Sequence, residues 1–441
     1  MRNICTIILA AGKGSRMNSF TPKILHKIGG LPIINHVTNT AITLKSKQIV
    51  IVLNDLTSIT KYARKKIPAA KIIIQKEQKG TAHALLSTKK YLKKYKGIIL
   101  ILFADIPLIS SDTLKKLIFS CQQGSDIAVL GMQKKNPEYY GRLIMGSNNN
   151  LKRIVEYKDA TIQERKISLC NAGIMAFNSE TMFYLLQEIN NKNKNNEFYL
   201  TDTISVAEKK GLKISLVKTS SDEAQGINHK HDLAKIENIF QTIKRKNALS
   251  YGVTLIDPKS IHFSHDTYLG QDTLIHPNVI FKNGVYVDNG AEIREFSSIE
   301  GSYIGTNSII GPFARLRPGT NIKKNVKVGN FVELKKSFIE EDSKINHLSY
   351  IGNTKVGKQS NIGAGTITCN YDGFNKWPTK IKNNVFIGSN TTLIAPINIG
   401  DDVIIAANST ITNNIPNESI SLTRTKQIIH KNNFNVLHNK K

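Results

Sequence analysis

The stretch SIIGPFARLRPGTNIKKNVKVG, residues 308–329, decides the fold of the second half of the chain. Its aliphatic residues Ile310, Leu316, Ile322 and Val328 are spaced six apart. A period of six fits neither the turn of an α-helix nor the two-residue alternation of a half-buried strand. It is the signature of a parallel β-helix, in which each hexad supplies one short strand and one turn.

The same register extends in both directions from this stretch. It begins at Leu269 and continues to Ile411, with a few five-residue steps and one interruption. We predict that each aliphatic residue of the series points inward and stacks on its equivalents in neighbouring coils. Glycine or asparagine is expected to supply the corner dihedral angles. A β-sandwich is disfavoured because its strands would recur every 8–12 residues or so and alternate with period two.

Residues 1 to about 230 show a different pattern, in which short β-branched runs alternate with helical stretches. Strands are predicted over 4–9, 49–53, 71–75, 98–103, 126–131, 173–177 and 213–217, and helices over 81–94 and 111–123. Continuous apolar strands are typical of a sheet covered on both faces, so we predict an α/β Rossmann-like domain with a mostly parallel sheet. Residues 232–247 are predicted to form an amphipathic helix with Asp232 as its N-cap. The expected domains are therefore 1–230 and 252–441, with a linker helix over 231–251.

Composition and charge restrict the function further. The 441 residues carry a formal net charge of +28, and the four cysteines show no metal-binding spacing. No apolar run reaches the ~18 residues that span a bilayer, and no signal peptide is apparent, so we expect a cytoplasmic protein without membrane insertion. The basic residues are dispersed and accompany no basic–aromatic motif. Anionic small substrates are therefore favoured, and no nucleic-acid partner is predicted.

The segment LAAGKGSRM, residues 9–17, follows the first predicted strand and is typical of a phosphate-binding turn. A Walker loop requires G-x-x-x-x-G-K-[ST], which the Gly12-Lys13 pair does not satisfy. A dinucleotide fingerprint requires a third glycine where Met17 stands. The remaining pattern, L-x-x-G-x-G-[ST]-R-[ML] with Pro22-Lys23 later, would cradle a triphosphate with backbone N–H groups.

This pattern resembles the signature of the nucleotide-sugar pyrophosphorylases. Further segments resemble the same family: QKEQKGTAHA (75–84), FADIPLI (103–109), YGRL (140–143), IVEYKDA (154–160), NAGI (171–174) and GINHKHDLA (226–234). The resemblance implies that Lys13 and Arg16 neutralise the departing pyrophosphate and that Asp105 and Asn228 hold Mg²⁺. The UTP and UDP-N-acetylglucosamine contacts that it implies are Leu9, Ala10, Ala11, Gly12, Lys23, Gln75, Gly80, Thr81, Phe103, Ala104, Asp105, Gly141, Glu156, Asn171 and Asn228. Phe103-Ala104 replaces the family's usual Tyr-Gly, which adds a methyl group where backbone approaches the ligand.

Segments of the second half carry another resemblance: GPFARLRPGT (311–320), GNFVELKKS (329–337), NHLSYIG (346–352) and NIGAGTITCNYDG (361–373). Together with the first half, they are similar over almost the whole chain to the bacterial bifunctional enzymes that acetylate glucosamine 1-phosphate and then form UDP-N-acetylglucosamine, a precursor of peptidoglycan and, where present, lipopolysaccharide. The resemblance implies a left-handed β-helix, acetyl-CoA as acyl donor, and a homotrimer with acetyl sites at chain interfaces. It also implies that His347 is the general base, because a protonated sugar amine cannot attack a thioester.

The same resemblance assigns the other contacts of the acetyl site. The implied sugar-phosphate contacts are Arg317, Lys335, Tyr350 and Asn361, and the implied acetyl-CoA contacts are Ala364, Asn370, Tyr371, Ser389, Ala407 and Arg424. The insertion YDGFNKWPTK (371–380), with the single tryptophan Trp377, interrupts the hexads. In the family it leans over a neighbouring chain near the acyl donor.

Two other functions remain open from the sequence. The first is a single-activity sugar-1-phosphate nucleotidyltransferase whose β-helix serves only oligomerisation. The second is a non-enzymatic scaffold descended from such an enzyme. His347 within NHLSY and the acetyl-CoA positions favour the bifunctional interpretation over both.

Overall fold

The computed structural model describes residues 3–423 and 425–429, and the chain divides into two compact units between residues 240 and 241. The strands of the first unit are β1 (Ile4–Ala10), β2 (Lys27–Ile28), β3 (Leu31–Pro32), β4 (Gln48–Leu53), β5 (Ala70–Ile74), β6 (Ile98–Phe103), β7 (Ile127–Gln133), β8 (Arg142–Met145), β9 (Leu151–Val155), β10 (Leu169–Asn178) and β11 (Ile214–Thr219). Its helices are α1 (Ile33–Thr43), α2 (Thr57–Lys66), α3 (Thr81–Leu86), α4 (Lys89–Leu92), α5 (Ser111–Gln122), α6 (Ile162–Arg165), α7 (Ser179–Gln187) and α8 (Asp202–Lys209). Helix α9 (Lys230–Ser250) crosses the division.

The first unit is built on one sheet with the strand order β11-β7-β10-β6-β1-β4-β5. All neighbours in this order run parallel except β10, which is antiparallel to β6 and β7. Apolar clusters lie on both faces of the sheet, as the continuous apolar strands require. The predicted Rossmann-like α/β fold is confirmed.

Two local predictions about helices are wrong. The stretch 81–94 is interrupted after Leu86, because the hydroxyls of Ser87 and Thr88 donate to the carbonyls of Ala84 and Leu85 and compete with the helical backbone. Helix α9 begins at Lys230, two residues before the predicted N-cap Asp232. The Asp232 carboxylate instead accepts the backbone N–H groups of Asn228 and His229, which extends the helix toward its N-terminus.

The second unit winds through three parallel faces in turn. Face 1 contains Thr254–Leu255, Leu274–Ile275, Glu292–Ile293, Ile309–Ile310, Lys327–Asn330, Lys344–His347, Asn361–Ile362, Phe386–Ile387, Ile404–Ile405 and Ile420–Ser421. Face 2 contains Ile280–Phe281, Ser298–Ile299, Arg315–Leu316, Glu333–Lys335, Tyr350–Gly352, Ile367–Cys369, Thr392–Ile394 and Thr410–Ile411. Face 3 contains Tyr268–Leu269, Tyr286–Val287, Ser302–Ile304, Thr320–Ile322, Phe338–Ile339, Thr354–Val356, Thr379–Ile381 and Ile397–Ile399. Every aliphatic or aromatic residue of the hexad series is buried in one continuous core, and the predicted left-handed parallel β-helix is confirmed.

Glycine has two roles in the coils. Asparagine and glycine supply many of the left-handed corner conformations, as predicted, for example at Asn307 and Gly319, and other residues supply the rest. The glycines that follow the inward residues are instead close-packed on the next coil. A Cβ atom on Gly305 would lie 2.6 Å from the Lys323 carbonyl carbon, and one on Gly363 would lie 2.6 Å from the Ile387 oxygen. These glycines therefore permit close stacking of successive coils.

The C-terminal half of α9 is hydrogen-bonded to the first coil. The buried Gln241 amide donates to the Phe263 carbonyl (2.7 Å) and accepts the Phe263 N–H (2.8 Å), and Lys244 Nζ donates to the carbonyl of His265 (3.0 Å). Ile243 of the same helix is 45% exposed. Polar contacts thus replace part of the expected apolar stripe. Within the described residues, no helix is long and apolar enough to cross a membrane.

Candidate active sites

A cleft of about 470 Å³ lies at the carboxyl ends of β1, β5 and β6 in the first unit. Ligands of parallel sheets bind at this edge. The predicted residues that line it are Leu9, Ala10, Ala11, Gly12, Lys13, Lys23, Gln75, Gly80, Thr81, Phe103, Ala104 and Asp105. Ile24, Gln78, Ala84 and Glu197 also line it and were missed by the motif analysis. Ala104 is 1% exposed and belongs to an apolar cluster, so its methyl group packs with the core as well as bordering the cleft.

The glycine turn after β1 packs closely against the Lys23 side chain. Gly14 has a φ of 65°, and a Cβ atom on it would lie 2.7 Å from Lys23 Cβ. Only glycine combines this left-handed conformation with so close an approach. The turn therefore packs against the aliphatic part of the Lys23 side chain, which lines the cleft.

A second close approach shapes the opposite wall. Gly80 has a φ of 105° and a ψ of 176°, and a Cβ atom on it would lie 2.5 Å from the Phe198 oxygen. Phe198 N–H donates to Lys79 (2.8 Å), and Ala82 N–H donates to Phe198 (3.0 Å). The Gln75 amide donates to the Gly80 carbonyl at 3.2 Å. This network brings the segment that carries Glu197 against the cleft, a pairing that the 75–84 motif alone does not show.

Four polar side chains meet at the edge of the cleft. Lys23 Nζ lies 2.5 Å from Asp105 Oδ2 and 3.1 Å from Asn228 Oδ1. Arg16 Nη2 donates to the same Asn228 oxygen at 2.9 Å. Asn228 and Arg16 are absent from the cleft lining but adjoin it through these bonds. A carboxylate and an amide oxygen that converge on one cation are a donor set that fits a hard divalent ion.

The three residues assigned to the sugar lie together beside this cleft. Asn171 N–H donates to the Gly141 carbonyl (2.8 Å), and a Cβ atom on Gly141 would lie 3.4 Å from Glu156 Oε2. Burial raises the pKa of Glu156, as do nearby carboxylates, while the hydrogen bond from Thr201 (3.1 Å) opposes this rise. A Cβ atom on Gly173, two residues from Asn171, would lie 3.3 Å from the Phe103 ring, which joins this group to the cleft wall.

Arg142 supports the same region and was missed from the sequence. Its side chain is almost fully buried and donates to the backbone carbonyls of Glu138, Tyr140 and Arg165. A buried guanidinium bonded to carbonyls fixes the backbone around it, because leaving its donors unpaired would be costly. Arg142 therefore fixes the turn that ends at Gly141. Its place directly after Gly141 in YGRL is the only sequence signal.

In the second unit, His347 ends a face 1 strand at the corner between faces 1 and 2. Its Nδ1 lies 2.6 Å from Asn330 Oδ1, the residue at the equivalent position one coil earlier. An amide oxygen only accepts, so this bond favours the neutral tautomer in which Nδ1 carries the proton and Nε2 has the lone pair. The register of the coils could have pointed to Asn330, which the motif analysis missed.

Basic side chains lie close together at the other edge of face 2, at the corner between faces 2 and 3. Arg317 donates to Glu333 at 2.8 Å, and Lys335 follows Glu333 on the same strand. Contact with Lys376, together with the positive charge of Arg317, lowers the pKa of Lys335. Lys376 lies in the insertion 371–380, which therefore folds back toward the predicted sugar-phosphate contact Lys335 of its own chain. Arg317, Lys335 and Lys376 outnumber the carboxylate Glu333, and this excess of positive charge favours an anionic ligand.

Tyr350 and Asn361 occupy the neighbouring coils. Tyr350 pairs in register with Glu333 on face 2, and Asn361 pairs with Lys344 on face 1. A Cβ atom on Gly352 would lie 2.6 Å from the Tyr350 hydroxyl, so this glycine makes room for the tyrosine side chain.

The predicted acetyl-CoA contacts fall at two corners of the β-helix. Ala364, Ser389 and Ala407 follow His347 on successive coils at the corner between faces 1 and 2, along a ladder of backbone hydrogen bonds. Asn370 and Tyr371 instead follow a face 2 strand, at the corner between faces 2 and 3. Trp377 N–H donates to the Asn370 carbonyl, and its indole N–H donates to Asp372. Arg424 lies outside the described residues.

Comparisons with known proteins agree with the two-part organisation. The family described as MobA-like NTP transferase domain matches residues 6–168, and the bacterial transferase hexapeptide family (six repeats) matches 378–413. Curated relatives named Bifunctional protein GlmU are similar over nearly the whole chain. That of Bartonella quintana is 44% identical over 98% of this chain and 96% of its own, and that of Zymomonas mobilis is 43% identical over 96% and 94%. That of Roseobacter denitrificans is 46% identical over 96% and 94%.

Proposed function

Because the chain belongs to the family of the bifunctional protein GlmU, we propose that the sites described above perform its two reactions in sequence. The protein is an acetyltransferase and a uridylyltransferase. The first reaction acetylates glucosamine 1-phosphate with acetyl-CoA, and the second transfers uridylyl from UTP to the resulting N-acetylglucosamine 1-phosphate. The single-activity alternative is not favoured, since the similarity extends across both halves.

In the acetyl site, His347 acts as the general base. Its Nε2 takes a proton from the sugar ammonium group, and the freed nitrogen attacks the thioester carbonyl carbon. The C–N bond forms and the C–S bond breaks. The nitrogen releases its second proton to solvent, and the His347 imidazolium returns its proton to the coenzyme A thiolate, which leaves as the thiol. Asn330 holds Nδ1 and thereby keeps the Nε2 lone pair available. Arg317 and Lys335 hold the sugar phosphate, with Tyr350 and Asn361 as further sugar contacts.

In the uridylyl site, a phosphate oxygen of the sugar phosphate attacks the α-phosphorus of UTP, and pyrophosphate leaves. The 9–14 turn binds the triphosphate through backbone N–H groups, while Lys13 and Arg16 neutralise the leaving group. Glu156, Asn171 and Gly141 orient the sugar. Asp105 and Asn228 would hold Mg²⁺, which supplies positive charge against the phosphate oxygens. In the part of the chain that is described, no group of three or more His, Cys, Asp or Glu could hold a metal, so substrate oxygens would complete the coordination.

We further propose a homotrimer that acts in the cytoplasm, where UTP and acetyl-CoA are made. One support is the separation of the acetyl-CoA contacts onto two corners of a single chain, which a neighbouring chain could bring together. Another is an exposed ridge at the corner that carries His347, formed by Phe296, Phe313, Phe331 and Leu348, which are 44% to 62% exposed. The phenylalanine rings stack at 5.0 and 5.1 Å. Phe331→Glu is expected to yield monomers in light scattering and to lose acetylation while uridylyl transfer persists.

The observation that carries the bifunctional assignment is the His347–Asn330 pair at one edge of face 2, with the cations at its other edge, because a purely oligomerising β-helix needs no such base. Two assays on the purified protein test it. Thiol release from acetyl-CoA requires glucosamine 1-phosphate, and pyrophosphate release from UTP requires N-acetylglucosamine 1-phosphate. We expect both activities. Pyrophosphate release without thiol release would support the single-activity alternative.

A further inference from the structure

The ammonium group of Lys23 lies where a divalent cation would be bound. Its Nζ is 2.5 Å from Asp105 Oδ2 and 3.1 Å from Asn228 Oδ1, the two oxygens assigned to the metal. A metal ion bound to both oxygens would lie next to the Lys23 ammonium group. Two positive charges so close together would repel each other strongly. Lys23 and the metal therefore cannot share these ligands.

The structure holds Lys23 in this place. Its Cβ is packed against Gly14, and its side chain is 14% exposed. Asp105 is itself 26% exposed, so the ion pair is partly shielded from water and is stronger than a surface pair. Only the end of the lysine side chain is free to leave, because its stem is confined by the turn.

The charges around the pair disfavour a metal ion without nucleotide. Arg16 occupies the Asn228 oxygen at 2.9 Å, and Lys13 lines the same cleft. These cations, with Lys23, outnumber the two carboxylates that line the cleft, Asp105 and Glu197. A bound triphosphate reverses this excess of positive charge. Its oxygens give Lys23 and Arg16 an alternative partner with a higher negative charge than Asp105.

We propose that Lys23 competes with the divalent cation for Asp105 and Asn228, so that the metal site becomes available only when a nucleoside triphosphate draws Lys23 onto its phosphate oxygens. This inference rests on the proposed function of the first unit. It gives Lys23 a role in the order of binding: the metal enters with the triphosphate and not before it.

Mn²⁺ titration followed by electron paramagnetic resonance tests the proposal on the full-length protein without sugar phosphate, so that no turnover occurs. Without UTP, Lys23→Met is expected to bind Mn²⁺ at least tenfold more tightly than the unsubstituted protein. Lys23→Arg retains a competing cation and is expected to bind Mn²⁺ as weakly as the unsubstituted protein. With UTP present, the advantage of Lys23→Met should disappear. Lys23→Gln serves as a second neutral variant should Lys23→Met fail to fold.

Two controls separate this inference from the metal assignment itself. Lys13→Met removes a positive charge from the same cleft without touching Asp105, and a comparable gain there would assign the effect to the general field and overturn the proposal. Equal or weaker Mn²⁺ binding by folded Lys23→Met would also overturn it. If Asp105→Asn bound Mn²⁺ in the presence of UTP as tightly as the unsubstituted protein does, the metal assignment would fail instead.

Discussion

Gly80→Ala tests whether the wall around Gly80 shapes the UTP cleft. The new Cβ would lie 2.5 Å from the Phe198 oxygen and 2.8 Å from its nitrogen, both backbone atoms that cannot rotate away. The φ of 105° adds strain of about 1–3 kcal/mol for a non-glycine residue. Relief requires Gly80 and Phe198 to separate, which strains hydrogen bonds worth about 1 kcal/mol each. Because Gly80 and Glu197 both line the cleft, this movement deforms the site.

We expect most of this strain to destabilise the nucleotide-bound form. Because about 1.4 kcal/mol corresponds to a factor of ten in affinity, the KM for UTP then rises by roughly 10- to 100-fold. Pyrophosphate release at varied UTP measures it, and thiol release serves as the internal control. Gly211→Ala is the matched control, since Gly211 has a φ of +69° with open space around it and incurs only backbone strain. A KM for UTP within about twofold of the unsubstituted value in folded Gly80→Ala would refute the reasoning.

Three further predictions concern the supporting residues. Asn330→Ala removes the hydrogen bond to His347 and is expected to lower kcat for thiol release by roughly 3- to 10-fold without changing pyrophosphate release; equal kcat values would contradict the orienting role. Arg142→Met frees the turn before the sugar contacts and is expected to raise the KM for N-acetylglucosamine 1-phosphate about tenfold, with the KM for UTP unchanged and partial rescue by Arg142→Lys. Burial, followed by the charge of Asp159, raises the pKa of Asp202 to about 6. The folded state thus binds this proton more readily than the unfolded chain. The protonated Asp202 carboxyl therefore contributes stability at low pH, and this contribution is lost as the pH rises through about 6. Asp202→Asn should therefore stabilise the protein by about 1 kcal/mol near pH 8 and not near pH 4 in thermal unfolding, after allowance for solvent screening; equal gains at both pH values would contradict the assignment.

The β-helix could be predicted from the sequence almost completely because its determinant is local. Each inward residue recurs at a fixed spacing, and every member of the series is buried. The α/β unit was predictable for a similar reason, since its buried strands are short apolar runs between helices. The interruption after Leu86 was not, because hydroxyl groups within the helical stretch decide it.

The contacts within the sites could be predicted only in part. The motifs indicated Lys23 and Asp105 separately, but the two residues are 82 positions apart in the sequence, and only the fold shows their ion pair. Arg142 was missed because its place after Gly141 in YGRL marks the segment but does not show that the side chain is buried among carbonyl groups. Asn330 was missed because its importance depends on the stacking of one coil on the next.

The central claim is that one chain carries two separate catalytic sites, and paired single variants test it most directly. Thiol release and pyrophosphate release are measured on His347→Ala and Asp105→Ala, with folding verified by circular dichroism. The account predicts that His347→Ala loses thiol release and keeps pyrophosphate release, and that Asp105→Ala shows the reverse. Loss of both activities in either folded variant would contradict it.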